Sequence, residues 1–224
     1  MHSSIRGTVR STLFVGRDQE FHTVVNRLDE AATGAGGAVL ICGEAGIGKS
    51  RLLLETLRFA QSKGWKVLSG RAYESAGAPP YQPFIEALRS HLSDASSDVL
   101  QRQLGSGAAA VALVIPELMD RVPVSQSSPP GGPSSERQRL FDAITQFLLA
   151  IAADEETGLV ISIDDLHWAD DSTLLLLEHV ARSLQQAKLL IVGTYRDSEV
   201  AGSLMRTLDL FTREGLAQTI GLRL

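Results

Sequence analysis

The sequence predicts an α/β fold built on a five-stranded, mainly parallel sheet with helices on both faces. Three observations carry this. Short apolar runs alternate with longer stretches of helical periodicity, the pattern of parallel strands joined by crossover helices. Two of the runs, residues 159–163 and 188–194, are nearly continuous in Leu, Val and Ile, as strands covered on both faces require. The 224 residues, 44% of them hydrophobic, suffice to bury the core of one large domain or of one domain with an inserted helical part.

The elements follow in order. Phe21, Val24, Val25, Leu28 and Ala32 share one face of an N-terminal helix, ended by the breaker at residues 33–37. A strand at 38–42 runs into a glycine-rich loop at 43–49, a helix continues over 52–60 until Gly64, and Trp65 leads into a strand at 66–69. About ninety residues then precede the third strand, far more than a crossover needs, so residues 72–135 are expected to be a helical insertion. In it Pro83 opens a helix with Phe84, Ile85, Leu88 and Leu92 on one side, and smaller helical pieces follow around 99–104 and 108–119. Residues 123–135, built from Pro, Ser and Gly, have little to bury and are expected to form a mobile loop. Ser134 or Ser135 then caps a long helix whose buried stripe is Leu140, Phe141, Ile144, Phe147, Leu148 and Ile151. The fifth strand falls at 218–222, and no internal repeat is visible.

Composition narrows the function classes. With 21 Lys+Arg against 26 Asp+Glu, a net charge of -5 leaves no electrostatic footprint for nucleic acid. The single cysteine, Cys42, excludes an intramolecular disulfide framework. The N-terminal stretch lacks the apolar core of a signal peptide, and no apolar run reaches membrane-spanning length. A cytoplasmic protein with no membrane contact is expected.

The segment GEAGIGKS at 43–50 matches G-x-x-x-x-G-K-[ST] between a predicted strand and a predicted helix, the arrangement of a P-loop NTPase. Gly43, Gly46 and Gly48 let the chain curl so that backbone N–H groups converge on phosphate oxygens, and the helix start adds its positive end. Glu44, Ala45, Ile47 and Arg51 complete the cradle around the nucleotide. Lys49 is expected to reach the β and γ phosphates, and the Ser50 hydroxyl to be a ligand of Mg2+, a hard ion that takes oxygen donors. A chance glycine-rich turn is the competing explanation, disfavoured by the strand-loop-helix context.

In LVISIDDLHWAD at 159–170 an apolar strand delivers two carboxylates. Asp164 is expected to hold magnesium directly or through water, and Asp165 to orient or deprotonate the hydrolytic water. The alternative is that the pair ends a strand and starts a turn, as Asp170 or Asp171 does in capping the helix that follows. His167, beside Trp168 with no partner cluster, is read as a packing or hydrogen-bonding residue. At the end of the fourth strand, LLIVGTYRD, Thr194 and Arg196 are two apart and point to one side, where open α/β sheets bind ligands. Arg196 either reads the γ-phosphate or pairs on the surface with Asp197 or Glu199.

Together these residues resemble the nucleotide-binding domain of STAND-type ATPases, in the AAA-like branch found in large LuxR-family transcriptional regulators. The resemblance rests on FVGRDQE at 14–20, GEAGIGKS, PPYQPFIEAL at 79–88, ERQRLFDAI at 136–144, DDLHWADDSTLLLLEHVAR at 164–182 and LIVGTYRD, in this order, and spans nearly all of residues 1–224. It implies ATP and ADP as ligands, Val15, Gly16 and Arg17 bordering the adenine, and Arg196 as γ-phosphate sensor. It also implies a phosphate-loop strand lying between the strand of the acidic pair and the neighbours of the fifth strand. Such proteins are ADP-held switches that self-associate with ATP, and DNA contact runs through a helix-turn-helix beyond a winged-helix lid and sensor repeats. Without that lid, nucleotide is expected to bind more weakly and exchange faster, and with aspartate at 165 in place of the longer glutamate, hydrolysis is expected to be slow. The rivals are an AAA-type assembly ATPase, with Arg213 as a finger toward a neighbour's nucleotide, a P-loop kinase, and a binding module that has lost hydrolysis. Against a kinase, the insertion offers only the scattered cations Arg89, Arg102 and Arg121.

Overall fold

Five apolar segments pair into one wholly parallel sheet: β1 (Gly37–Cys42), β2 (Lys66–Arg71), β3 (Leu159–Asp164), β4 (Leu189–Tyr195) and β5 (Ala217–Gly221), in the order β2-β3-β4-β1-β5. The structure is a computed structural model and describes residues 16–74, 79–123 and 132–223. Eight helices accompany the strands there: α1 (Asp18–Ala32), α2 (Lys49–Ser62), α3 (Gln82–Asp94), α4 (Ser97–Leu104), α5 (Ala108–Ala112), α6 (Pro133–Asp154), α7 (Asp171–Arg182) and α8 (Gly202–Glu214).

The alternation of side chains along a strand divides the core in two. On β1, Val39 and Ile41 face one way, into a cluster with Val24 and Leu28 of α1 and Leu52 and Leu53 of α2. Ala38 and Leu40 face the other way, into a larger cluster supplied by α3 to α8, including Phe84, Phe147, Leu177 and Phe211. Each fully buried Leu or Phe on either face contributes roughly 1.5–3 kcal/mol. Helices on both faces explain why β3 and β4 are apolar along most of their length, and every residue of β4 is buried.

Several expectations shift in detail. β1 has β4 and β5 as its neighbours, so β4 separates the phosphate-loop strand from β3 and its acidic pair. The long helix α6 has no serine cap: Gly132 is the cap residue and Pro133 opens the helix. Proline's fixed φ suits the first turn, where an N–H has no partner anyway, and this wins over a hydroxyl cap. Residues 133–135 of the expected loop are therefore helical, and 124–131 lie outside the described residues. On α1 the fully buried stripe is Val24, Leu28 and Ala31, with Ala32 only half-buried.

Candidate functional site

A parallel sheet brings all its carboxyl ends to one edge, and here that edge gathers the polar residues. β1 ends in the loop at 43–48, which curls on left-handed glycines, Gly46 at φ 75° and Gly48 at φ 106°, and α2 begins at Lys49. Ile47 packs on the core below, while Glu44 and Ala45 are exposed. The Lys49 ammonium lies back across the loop, donating to the carbonyls of Gly43 at 2.8 Å and Glu44 at 2.7 Å. Burial, and then the positive charge of Arg196, pull the Lys49 pKa below its ordinary value, against the carboxylates of Asp165, Asp197 and Asp164. On α2, Arg51 pairs with Glu55 at 2.9 Å.

The acidic pair stands directly across from the loop. The Ser50 hydroxyl donates toward both carboxylate oxygens of Asp164, at 3.3 and 3.4 Å, across 114 residues of sequence. Thr194, fully buried at the end of β4, donates its hydroxyl to Asp164 and accepts the backbone N–H of Asp165 at 3.0 Å. One threonine thus fixes both carboxylates relative to the neighbouring strand. Asp165 turns the chain at φ 60°, a left-handed position that aspartate tolerates, and buries its side chain.

That burial is compensated by Arg71, a residue the sequence analysis did not single out. The guanidinium donates to Oδ2 of Asp165 at 2.9 and 2.6 Å. The parallel register sets Arg71 opposite Asp164, at the same edge. Between β2, α2 and α3 a groove of about 330 Å³ opens, lined by Ser50, Leu53, Leu57, Arg71, Tyr73, Glu86 and Asp164.

Arg196 lies just past β4, bonded to Glu199 at 2.6 Å and stacked over Trp168 at 5.1 Å. It thus occupies the surface pairing, while its charge still reaches Lys49. Asp170 caps α7, accepting the N–H groups of Ser172 and Thr173 at 2.9 and 3.1 Å. Gly16 and Arg17 lead into α1, where Arg17 holds Glu20 at 3.0 Å, and Val15 lies outside the described residues. Arg213, in the last turn of α8, faces Glu214 at 3.8 Å.

Ser50 and Asp164 bring three hard oxygens together, a donor set suited to Mg2+ shared with phosphate oxygens. Among the described residues no group of three or more His, Cys, Asp or Glu side chains offers a self-sufficient metal cage. Nor is any described helix long and apolar enough to cross a membrane.

A family model described as "AAA ATPase domain" matches residues 13–192. An uncharacterized protein of Rhizobium meliloti is 28% identical over 197 residues, covering 82% of this chain and 18% of that protein. Hybrid signal transduction histidine kinase G of Dictyostelium discoideum is 27% identical over 177 residues, 75% of this chain and 5% of its own length. The chain therefore spans less than a fifth of either curated relative. Among solved structures, Cdc6p of Pyrobaculum aerophilum aligns over 96% of this chain and 47% of its own, at 12% identity and a TM-score of 0.54, a likeness of fold.

Proposed function

The chain belongs to the AAA ATPase domain family, and from that premise we propose that it binds Mg-ATP at the loop of residues 43–50 and hydrolyses it slowly, as the regulatory switch of a larger STAND-type signalling protein. The observation that carries this is the contact between the Ser50 hydroxyl and the Asp164 carboxylate, which joins the phosphate loop to the acidic edge.

Each group then has a task. Backbone N–H groups of Gly43 to Ser50 receive the phosphates, and Lys49 exchanges the two loop carbonyls for β and γ oxygens, a stronger charge-assisted pairing. Ser50 and Asp164 hold the magnesium ion, which when bound offsets charge on the phosphates. Asp165 orients and deprotonates a water, whose attack on the γ-phosphorus breaks the bond to the β-phosphate oxygen and yields ADP and inorganic phosphate. In the structure Asp165 spends Oδ2 on Arg71, which leaves one oxygen for the water, and this supports a slow basal rate. Arg196 moves from Glu199 to the γ-phosphate when a triphosphate is present, and Gly16 and Arg17 border the adenine.

Residues 1–224 form one nucleotide-binding domain in this proposal, with 72–135 as its insertion, acting in the cytoplasm. A signalling relative, the Dictyostelium histidine kinase, carries a matching segment. The order of the sequence motifs supports a LuxR-type branch, with self-association in the ATP form and DNA reached only through another domain. Measuring phosphate release in a single turnover of bound ATP tests the chemistry. Release that is lost in Asp165→Asn supports it; release unchanged by that substitution refutes the role of Asp165. Sedimentation with ADP and with a non-hydrolysable ATP analogue tests the switch, which predicts a larger species only with the analogue.

A further inference from the structure

We propose that His167 is a positioning residue that couples Asp165 to the segment after β4, by offering one N–H to two competing carboxylates. This rests on the proposed ATPase and deepens it. The side chain of His167 is fully buried in the short turn that follows β3, and neither ring nitrogen has a hydrogen-bond partner among the described residues. A buried polar group left unpaired is costly, and such groups call for a reason.

Two carboxylates supply it. Nε2 of His167 lies 3.8 Å from Oδ1 of Asp165 and 3.5 Å from Oε2 of Glu199. Both distances stand just outside the ordinary reach of about 2.7–3.2 Å, so a small shift of either side chain closes one bond. The remaining oxygens are engaged. Arg71 holds Oδ2 of Asp165, and Arg196 holds Oε1 of Glu199. Each acid therefore turns its unused oxygen toward the same imidazole. Burial lowers the pKa of His167, ahead of the opposing effects of Asp165 and Glu199 and the reinforcing ones of Arg196 and Lys49. Nε2 carries at most one proton, so it serves one carboxylate at a time.

The consequence is a link between phosphate sensing and water activation. While Arg196 rests on Glu199 and Arg71 on Asp165, each acid has one oxygen engaged, and His167 stands between the two free ones, shared between Oδ1 of Asp165 and Oε2 of Glu199. When a γ-phosphate draws Arg196 away, Glu199 becomes the better acceptor and takes the N–H. Asp165 is then left with Oδ1 free for water.

A double-mutant cycle tests this on single-turnover hydrolysis at saturating Mg-ATP, with ADP affinity measured alongside. Glu199→Gln, a weaker acceptor, is expected to slow hydrolysis roughly fivefold in the otherwise unchanged protein, a coupling within the usual range for contacting residues. In a His167→Phe background the same change is expected to have no effect, and His167→Gln, which keeps an N–H, to restore sensitivity. ADP affinity stays within about twofold in the His167 variants, which a merely structural role would not preserve. His167→Leu gives the same readout should His167→Phe not fold. Equal effects of Glu199→Gln in both backgrounds, or none in either, overturn the coupling. A starting protein that binds ADP but releases no phosphate from ATP instead overturns the ATPase proposal on which it stands.

Discussion

The phosphate loop and the acidic edge lie side by side at the carboxyl ends of the strands, yet they are held by different means. In the loop, Lys49 bonds to carbonyls five and six residues away, and two left-handed glycines set the curl. At the acidic edge, the contacts among Arg71, Asp164, Asp165, Thr194 and Ser50 span 29 to 114 residues. The loop is a local structure that its own sequence specifies. The edge exists only once the sheet has formed, and in the proposed function it carries the parts that change state.

This difference can be broken experimentally. The largest effect is expected from Lys49→Ala, which removes a charged partner of two phosphates and should weaken ATP binding roughly a hundredfold or more, as measured by fluorescence titration. Fold and thermal midpoint should change little, because a contact so local does not hold the sheet. Asp164→Asn is expected next, lowering turnover roughly thirtyfold while leaving ADP affinity in the absence of magnesium within about twofold. Arg71→Ala sharpens the contrast in the opposite direction. With two charge-assisted bonds gone, Asp165 has both oxygens free to hold the water, and steady-state turnover should rise roughly tenfold at unchanged ATP affinity. The smallest effect belongs to Thr194→Val, which preserves shape but orphans the Asp165 N–H and removes one donor to Asp164. It should cost about 1–3 kcal/mol in urea unfolding, with a turnover loss of about fivefold.

The same contrast explains what could be read from sequence. GEAGIGKS and the strand ending in Asp164 and Asp165 are contiguous, so spacing and apolar periodicity disclose them. All five strands fall within two residues of their expected ends for the same reason. Arg71 gave no signal, since nothing in KVLSGR says that its last residue will meet Asp165; the parallel register of β2 on β3 decides that. His167 looked like a lone histidine because its carboxylate from Glu199 lies beyond β4. The cap at Ser134 or Ser135 failed where proline's backbone preference, one residue earlier, outweighed a hydroxyl's. Arg196 was legible as a cation at a strand end. Its partner in the structure is Glu199, the surface alternative.

The central claim is that loop and edge form one magnesium-dependent nucleotide site, and calorimetric titration with ATP, in magnesium and in a chelator, tests it most directly. Wild-type protein should bind more tightly in magnesium, and Asp164→Ala should bind equally in both. ATP affinity that is magnesium-independent in the wild type, or an undiminished magnesium effect in Asp164→Ala, would contradict the account.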